Sequence, residues 1–222
     1  MATGAATTAL VYAADHSAPA ALILGHGAGA GQQSAFMVDF ASGLAELGLD
    51  TITFNFLYTE QKRRIPDRGP ALEACYRAVV DAVRAEVPSA RRSLFIGGKS
   101  MGGRIASQVA AADHALPIAG VVLLGYPLHP PGRPDERRDR HLAAVGRPML
   151  FVQGGRDAFG LPVELEIAFQ GISPPPVLHV VEDGDHSFKL PRRNLVGQVA
   201  TYGDIRRVVV DCISGVNQAS AR

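Results

Sequence analysis

The sequence predicts an α/β fold: a single domain on a mostly parallel sheet of about seven strands, with helices covering both faces. Three observations predict it. Seven short runs rich in Val, Ile, Leu and Phe recur along the chain, they are apolar almost throughout, and most are separated by segments of helical period. A strand with one wet face alternates polar and apolar residues, so continuous apolar runs belong to a sheet buried on both sides. With 222 residues, 47% of them hydrophobic, the chain can bury such a core without disulfides or metal.

The elements follow in order. "TALVYA" and "AALILG" read as the first two strands, and "SAFMVDFASGLAELG" as the first amphipathic helix. "DTITFNF" is the third strand, and "PALEACYRAVVDAVRAEV" the helix that returns from it. "SLFIGG" leads directly into the helical "SMGGRIASQVAAADHA", while "GVVLLGY" is followed by a Pro- and Arg-rich piece and the mixed segment "DERRDRHLAAVG". "PMLFVQG" precedes "LPVELEIAFQG", and "VLHVVED" precedes the terminal "RRNLVGQVATYGDIRRVVVDCISGV". Strands alternating with helices specify a parallel α/β sheet. No repeat, low-complexity tract or linker divides residues 1–222, and "YPLHPPGRP" and "SPPPV" are short enough to be ordered loops.

A formal charge of +1 provides no overall field that would draw the protein to nucleic acid or to an anionic membrane. Cys75 and Cys212 each fall in a helical segment, which suits small core residues in a reducing compartment. The start lacks a basic segment leading into a long apolar run, and no stretch approaches 18 uninterrupted apolar residues. A cytoplasmic location is therefore expected.

The stretch "LFIGGKSMGGRIAS" carries two competing motifs. Gly-Lys-Ser could close a phosphate-binding loop, but Ser93 stands where its first Gly is needed, and residues 94–97 read as a buried strand. Gly-x-Ser-x-Gly could instead be a nucleophile elbow, in which strand and helix nearly touch and the residues two before and two after the serine must be tiny. Gly98 and Gly102 meet that requirement around Ser100. An elbow needs an acid and then a histidine. Asp157 follows the strand "PMLFVQG" and His186 follows "VLHVVED", so both fall at strand C-termini, which share one edge of a parallel sheet. Asp183 and Asp185 lie too near His186 in sequence to orient its ring from behind and suit the turn instead. Of the other histidines, at 16, 26, 114, 129, 141 and 179, only His129 also lies on a late loop after a strand. Ser100, Asp157 and His186 are the expected catalytic set.

The developing oxyanion needs backbone donors. One is expected at Met101, directly after the nucleophile, and one at Ala28 in the glycine-rich loop "GHGAGAGQQ". That loop is not a dinucleotide fingerprint: Gly27-Ala28-Gly29 is followed by Gln32 rather than a third Gly, and no acidic residue closes "DTITFNF". No His-x-x-x-His or paired cysteines suggest a metal, and no cofactor is expected.

On "GHGAGAG", "GGKSMGGRIAS", "GYPLHPPG", "QGGRDAFG" and "GDHSF", spanning about residues 20 to 190, the chain resembles the alpha/beta-hydrolase superfamily, in particular its small dienelactone-hydrolase-like members. It looks closest to the group that includes the testis-expressed protein thirty and the hydrolase-like domain of a nonspecific-lethal chromatin complex subunit. The resemblance implies Ser100, Asp157 and His186 as the triad and supplies no substrate; the expected function is that of a serine hydrolase cleaving a carboxylic ester or thioester through an acyl-enzyme intermediate. The alternative is a catalytically silent module that binds a protein partner. Residues 125 to 147 are too few for a separate cap domain, so an open site is expected. His26, Lys99, Tyr126, His129 and Phe159 flank the motifs and are expected to border the substrate.

Arg133, Arg137, Arg138 and Arg140 cluster in one loop, and Lys62, Arg63, Arg64 and Arg68 in another. Such clusters are ordinarily solvated surface, yet both fall near the expected site. If they steer an acidic substrate, hydrolysis of an anionic ester falls steeply with added salt and that of a neutral ester does not; equal salt responses would remove the idea.

Overall fold

The computed structural model describes residues 6–191 and 196–220. Seven strands, β1 (Ala9–Tyr12), β2 (Ala21–Gly25), β3 (Asp50–Phe54), β4 (Leu94–Lys99), β5 (Gly120–Leu124), β6 (Met149–Gly154) and β7 (Val177–Val181), form one sheet in the order β1-β3-β2-β4-β5-β6-β7. All seven coincide with the apolar runs. Only β1 is antiparallel to its neighbour; every other pair is parallel.

The helices are α1 (Ala35–Glu46), α2 (Leu57–Glu60), α3 (Gly69–Glu86), α4 (Pro88–Arg92), α5 (Met101–Ala112), α6 (Pro162–Ala168) and α7 (Val196–Ser220). The expected terminal helix begins at Arg192, and residues 192–195 lie outside the described residues. The mixed segment before β6 contributes one 3-10 turn, Leu142–Ala144, between strands whose ends are only residues 124 and 149, so no cap domain stands there. Among the described residues, no helix is long and apolar enough to cross a membrane.

Strand side chains alternate between two cores because successive residues point to opposite faces. Ala21 and Ile23 face Val79, Val80, Ile105 and Val109 of α3 and α5, whereas Leu22 and Leu24 face Met37, Phe40, Ile205 and Val209 of α1 and α7. Cys75 is buried in the first layer and Cys212 packs against the second.

The strand order positions the site. After β2 the chain moves to one side to make β3, then crosses back to make β4 on the other side of β2. Connections that leave in opposite directions open a crevice at the strand C-termini, between β2 and β4. Tyr76 of α3 braces that point from below: its hydroxyl lies 2.7 Å from Gly97 O and 3.0 Å from Ile23 O, and it accepts the Gly97 N–H at 2.9 Å. Tyr76→Phe leaves a buried backbone N–H without its acceptor, a cost of about 1–3 kcal/mol. Thermal unfolding should show Tm lowered by ~2–4 °C for each kcal/mol. An unchanged Tm would mean that the hydroxyl carries no weight there.

Candidate active site

Ser100 lies at the junction of β4 and α5 with φ 52° and ψ −115°, a backbone conformation that a residue with a Cβ avoids. The surrounding structure holds it there. Its N–H donates to Leu124 O at 2.9 Å, and its carbonyl accepts the Arg104 N–H at 3.0 Å. The turn also packs directly on the end of β2: a Cβ on Gly98 would stand 2.4 Å from Gly25 O, and one on Gly102 only 2.1 Å from it. Both positions exclude any side chain.

His186 and Asp157 converge on this serine from the ends of β7 and β6. His186 Nε2 lies 2.8 Å from Ser100 Oγ, and His186 Nδ1 lies 2.7 Å from Asp157 Oδ2. A carboxylate only accepts, so the shared proton belongs on Nδ1, leaving the Nε2 lone pair for the serine hydroxyl. Asp157 is completely buried, and its other partners saturate it: Gln153 Nε2 donates to Oδ2 at 2.9 Å and the Phe159 N–H to Oδ1 at 2.8 Å. Gln153 is in turn fixed, its Oε1 accepting the Tyr126 N–H at 2.8 Å and its Nε2 lying 2.9 Å from Gly160 O. Phe159 packs against the imidazole with ring centroids 4.2 Å apart and the ring planes tilted by 31°.

The loop carrying His186 is tied at several points. Asp185 Oδ1 accepts the N–H groups of Ser187 and Lys189 at 2.7 and 2.9 Å, so this aspartate serves the turn, as its sequence position suggested. Asp183, with φ 57°, forms the preceding corner. Lys99 reaches over from the end of β4 and donates from Nζ to the His186 carbonyl at 2.6 Å. Lys99 is 8% exposed, and its ammonium stands 5.5 Å from the Phe188 ring centroid. Burial lowers the Lys99 pKa to about 8, against the opposing pull of Asp157 and Asp185.

On the other side, the loop after β2 passes beside Ser100: a Cβ on Gly27 would sit 3.6 Å from Ser100 Cβ. Among the described residues, neither the Ala28 nor the Met101 N–H has a protein acceptor. His26 is fully buried, with Nδ1 2.8 Å from Gly27 O and with Nε2 accepting the Phe56 N–H at 3.2 Å. Burial, only partly offset by the Gly27 hydrogen bond, lowers its pKa, so it stays neutral and staples this loop to the start of α2.

A cleft of about 1050 Å³ opens above Ser100, with Lys99 and Phe159 among its walls. The expectation that His26, Tyr126 and His129 border the substrate needs correcting, because none of them reaches that wall. His26 is consumed by the loop staple. Tyr126 is 1% exposed and donates to Arg138 O, and His129 is 6% exposed, 3.2 Å from Glu164 and 2.9 Å from Pro130 O. The Tyr126 hydroxyl and the ring nitrogens of His26 and His129 find their partners inside the protein. Gln153 went unnoticed in the sequence, although a glutamine inside an otherwise apolar central strand was the available signal.

Lys99 generates a test. The folded protein releases its proton near pH 8, while the unfolded chain holds it to the ordinary lysine value of 10.5. Below pH 8 the cost of burying the cation is present in full; as pH rises from 8 toward 10.5 the unfolded state binds more protons and stability increases. Urea titrations should show the wild type gaining stability over that window relative to Lys99→Met. Parallel pH dependences would remove the account of Lys99 as a buried cation.

The sequence of residues 18–213 matches the alpha/beta hydrolase domain family. Among solved structures, the chain is similar to an alpha-beta serine hydrolase homologue from Coxiella burnetii, at 19% identity over 92% of this chain and 90% of that one, with a TM-score of 0.71. A serine hydrolase of Xanthomonas campestris described as lacking a lid is 24% identical over 90% and 88% of the two chains, with a TM-score of 0.68. A dienelactone hydrolase from Anabaena variabilis is 21% identical over 88% and 89%, with a TM-score of 0.66. At these identities the structures attest the shared fold. The family match covers most of the sequence, and the chain belongs to the alpha/beta hydrolase domain family.

Proposed function

We propose that this protein is a serine hydrolase that cleaves a small carboxylic ester or thioester through an acyl-enzyme intermediate. The observation that carries the reading is the continuous hydrogen-bonded line from Ser100 Oγ through His186 to the buried Asp157, at 2.8 and 2.7 Å. In the proposed reaction His186 Nε2 takes the hydroxyl proton as Ser100 Oγ attacks the carbonyl carbon. Asp157 keeps the imidazole in the required tautomer and stabilises its cationic form. The negative charge on the carbonyl oxygen is met by the Ala28 and Met101 N–H groups, which have no other protein acceptor among the described residues. Collapse of that intermediate expels the alcohol or thiol, which receives the proton from His186. Water activated by the same imidazole then hydrolyses the acyl-serine.

Within the family, the quoted motifs favour the group of the testis-expressed protein thirty and the nonspecific-lethal complex subunit domain. The two free thiols, Cys75 and Cys212, suit action in the cytoplasm.

Intact mass after treatment with a fluorophosphonate tests the chemistry. The wild type should gain one adduct, while Ser100→Ala gains none and His186→Ala reacts at least a hundredfold more slowly, within the range that general-base catalysis contributes. Absence of an adduct on folded wild-type protein would overturn the hydrolase reading in favour of a protein-binding scaffold.

A further inference from the structure

Two arginines border the same cleft as Ser100, and neither has a role in the chemistry described above. Arg104 lies one helical turn after Ser100 on α5, about 6 Å along the axis, and helical side chains lean toward the helix N-terminus, here toward the nucleophile. Arg138 comes from the loop between β5 and β6, and its backbone is pinned on both sides: its N–H donates to Leu128 O at 2.8 Å and its carbonyl accepts the Tyr126 hydroxyl at 2.5 Å.

The charges on the cleft walls are unevenly satisfied. The two acids on the walls are already paired, Asp39 with Arg206 and Asp67 with Arg63 at 2.6 Å. Arg137, beside Arg138, is paired with Asp139. Arg104 has one hydrogen bond, from Nη1 to Gln108 Oε1 at 3.1 Å, and among the described residues no carboxylate lies within ion-pair distance of Arg104 or Arg138. Burial, and then the neighbouring Arg138 charge, lower the Arg104 pKa, while Glu73 attracts it only from beyond contact. The same Arg104 charge, after burial, helps push the adjacent His141 down to about 4, so that histidine stays neutral and adds no positive charge of its own. Two like charges held near one another without a counter-ion are costly, and an anion entering the cleft relieves that cost.

We propose that Arg104 and Arg138 form an anion subsite that selects esters whose acyl chain ends in a free carboxylate. The proposal rests on the esterase reading. A planar carboxylate suits the guanidinium fork. A spacer of about four methylenes spans the helical turn between the attacked carbonyl at Ser100 and the guanidinium of Arg104.

The test compares kcat/KM for p-nitrophenyl hydrogen adipate with that for p-nitrophenyl hexanoate, a neutral ester of equal acyl length. The wild type should prefer the adipate ester by at least tenfold, and Arg104→Met and Arg138→Gln should each lower that preference by on the order of ten- to a hundredfold, as expected for a lost charged hydrogen bond. Arg133→Gln, altering an exposed arginine paired with Glu136 outside the cleft, should leave the preference intact. A preference near unity, or one that all three variants lower alike, would overturn the subsite while hexanoate hydrolysis left the esterase reading standing. If neither ester is hydrolysed, the esterase reading fails separately, and calorimetric binding of adipic acid monoamide, which carries one carboxylate, decides the subsite. Binding lost in Arg104→Met and Arg138→Gln upholds the subsite, and no binding to the wild type overturns it.

Discussion

The backbone-to-backbone contact between the end of β2 and the start of α5 is the constraint from which the rest of the site follows. A Cβ on Gly25 would come within 3.1 Å of Gly102 Cα, and one on Gly102 within 2.1 Å of Gly25 O. Such an approach leaves no volume for side chains, so it demands glycine on both sides. Its consequence is a turn too sharp for relaxed geometry, in which Ser100 takes φ 52° and projects its hydroxyl above the sheet edge. The strain persists because two packed layers and the hydrogen bond to Leu124 determine the turn more strongly than its own torsional preference.

Beside that turn, the buried acid is held by hydrogen bonds on both of its oxygens. Asp157 has no solvent contact, yet three donors reach its two oxygens, and the Gln153 amide that supplies one of them is itself held by Tyr126 and Gly160. An aspartate left bare at that depth would cost several kcal/mol. Here the same groups that offset the desolvation also fix the carboxylate's orientation, so one network stabilises the fold and aims the imidazole. Lys99 performs a related service from the opposite side, anchoring the His186 loop through its carbonyl while its own charge remains expensive to bury.

The cleft has a different logic. Its acids are neutralised by Arg63 and Arg206, whereas Arg104 and Arg138 have no carboxylate in contact among the described residues. Pinning Arg138 through both backbone atoms keeps that side chain near Arg104 instead of letting the loop relax outward. This pattern belongs to a site in which complementarity awaits a ligand.

Much was legible in the sequence for a local reason. Continuous apolar runs, their alternation with helical periods, and glycines two residues either side of Ser100 are determined by rules acting within a few residues, so the seven strands, the layered fold and the sharp turn at Ser100 could all be read directly. The order of Ser100, Asp157 and His186 after the ends of β4, β6 and β7 was legible too, because a parallel sheet brings strand C-termini to one edge. Other features depended on contacts across the fold. His26, Tyr126 and His129 sit beside the right motifs, but their ring and hydroxyl groups turned inward to partners 12 to 35 residues away, at Phe56, Arg138 and Glu164. Arg104 lies in α5, and the loop between β5 and β6 brings Arg138 to the same cleft, with no carboxylate within ion-pair distance of either among the described residues. Periodicity and steric size are properties of the chain itself; which polar group finds which partner is a property of three-dimensional neighbours, and only the tertiary structure decides it.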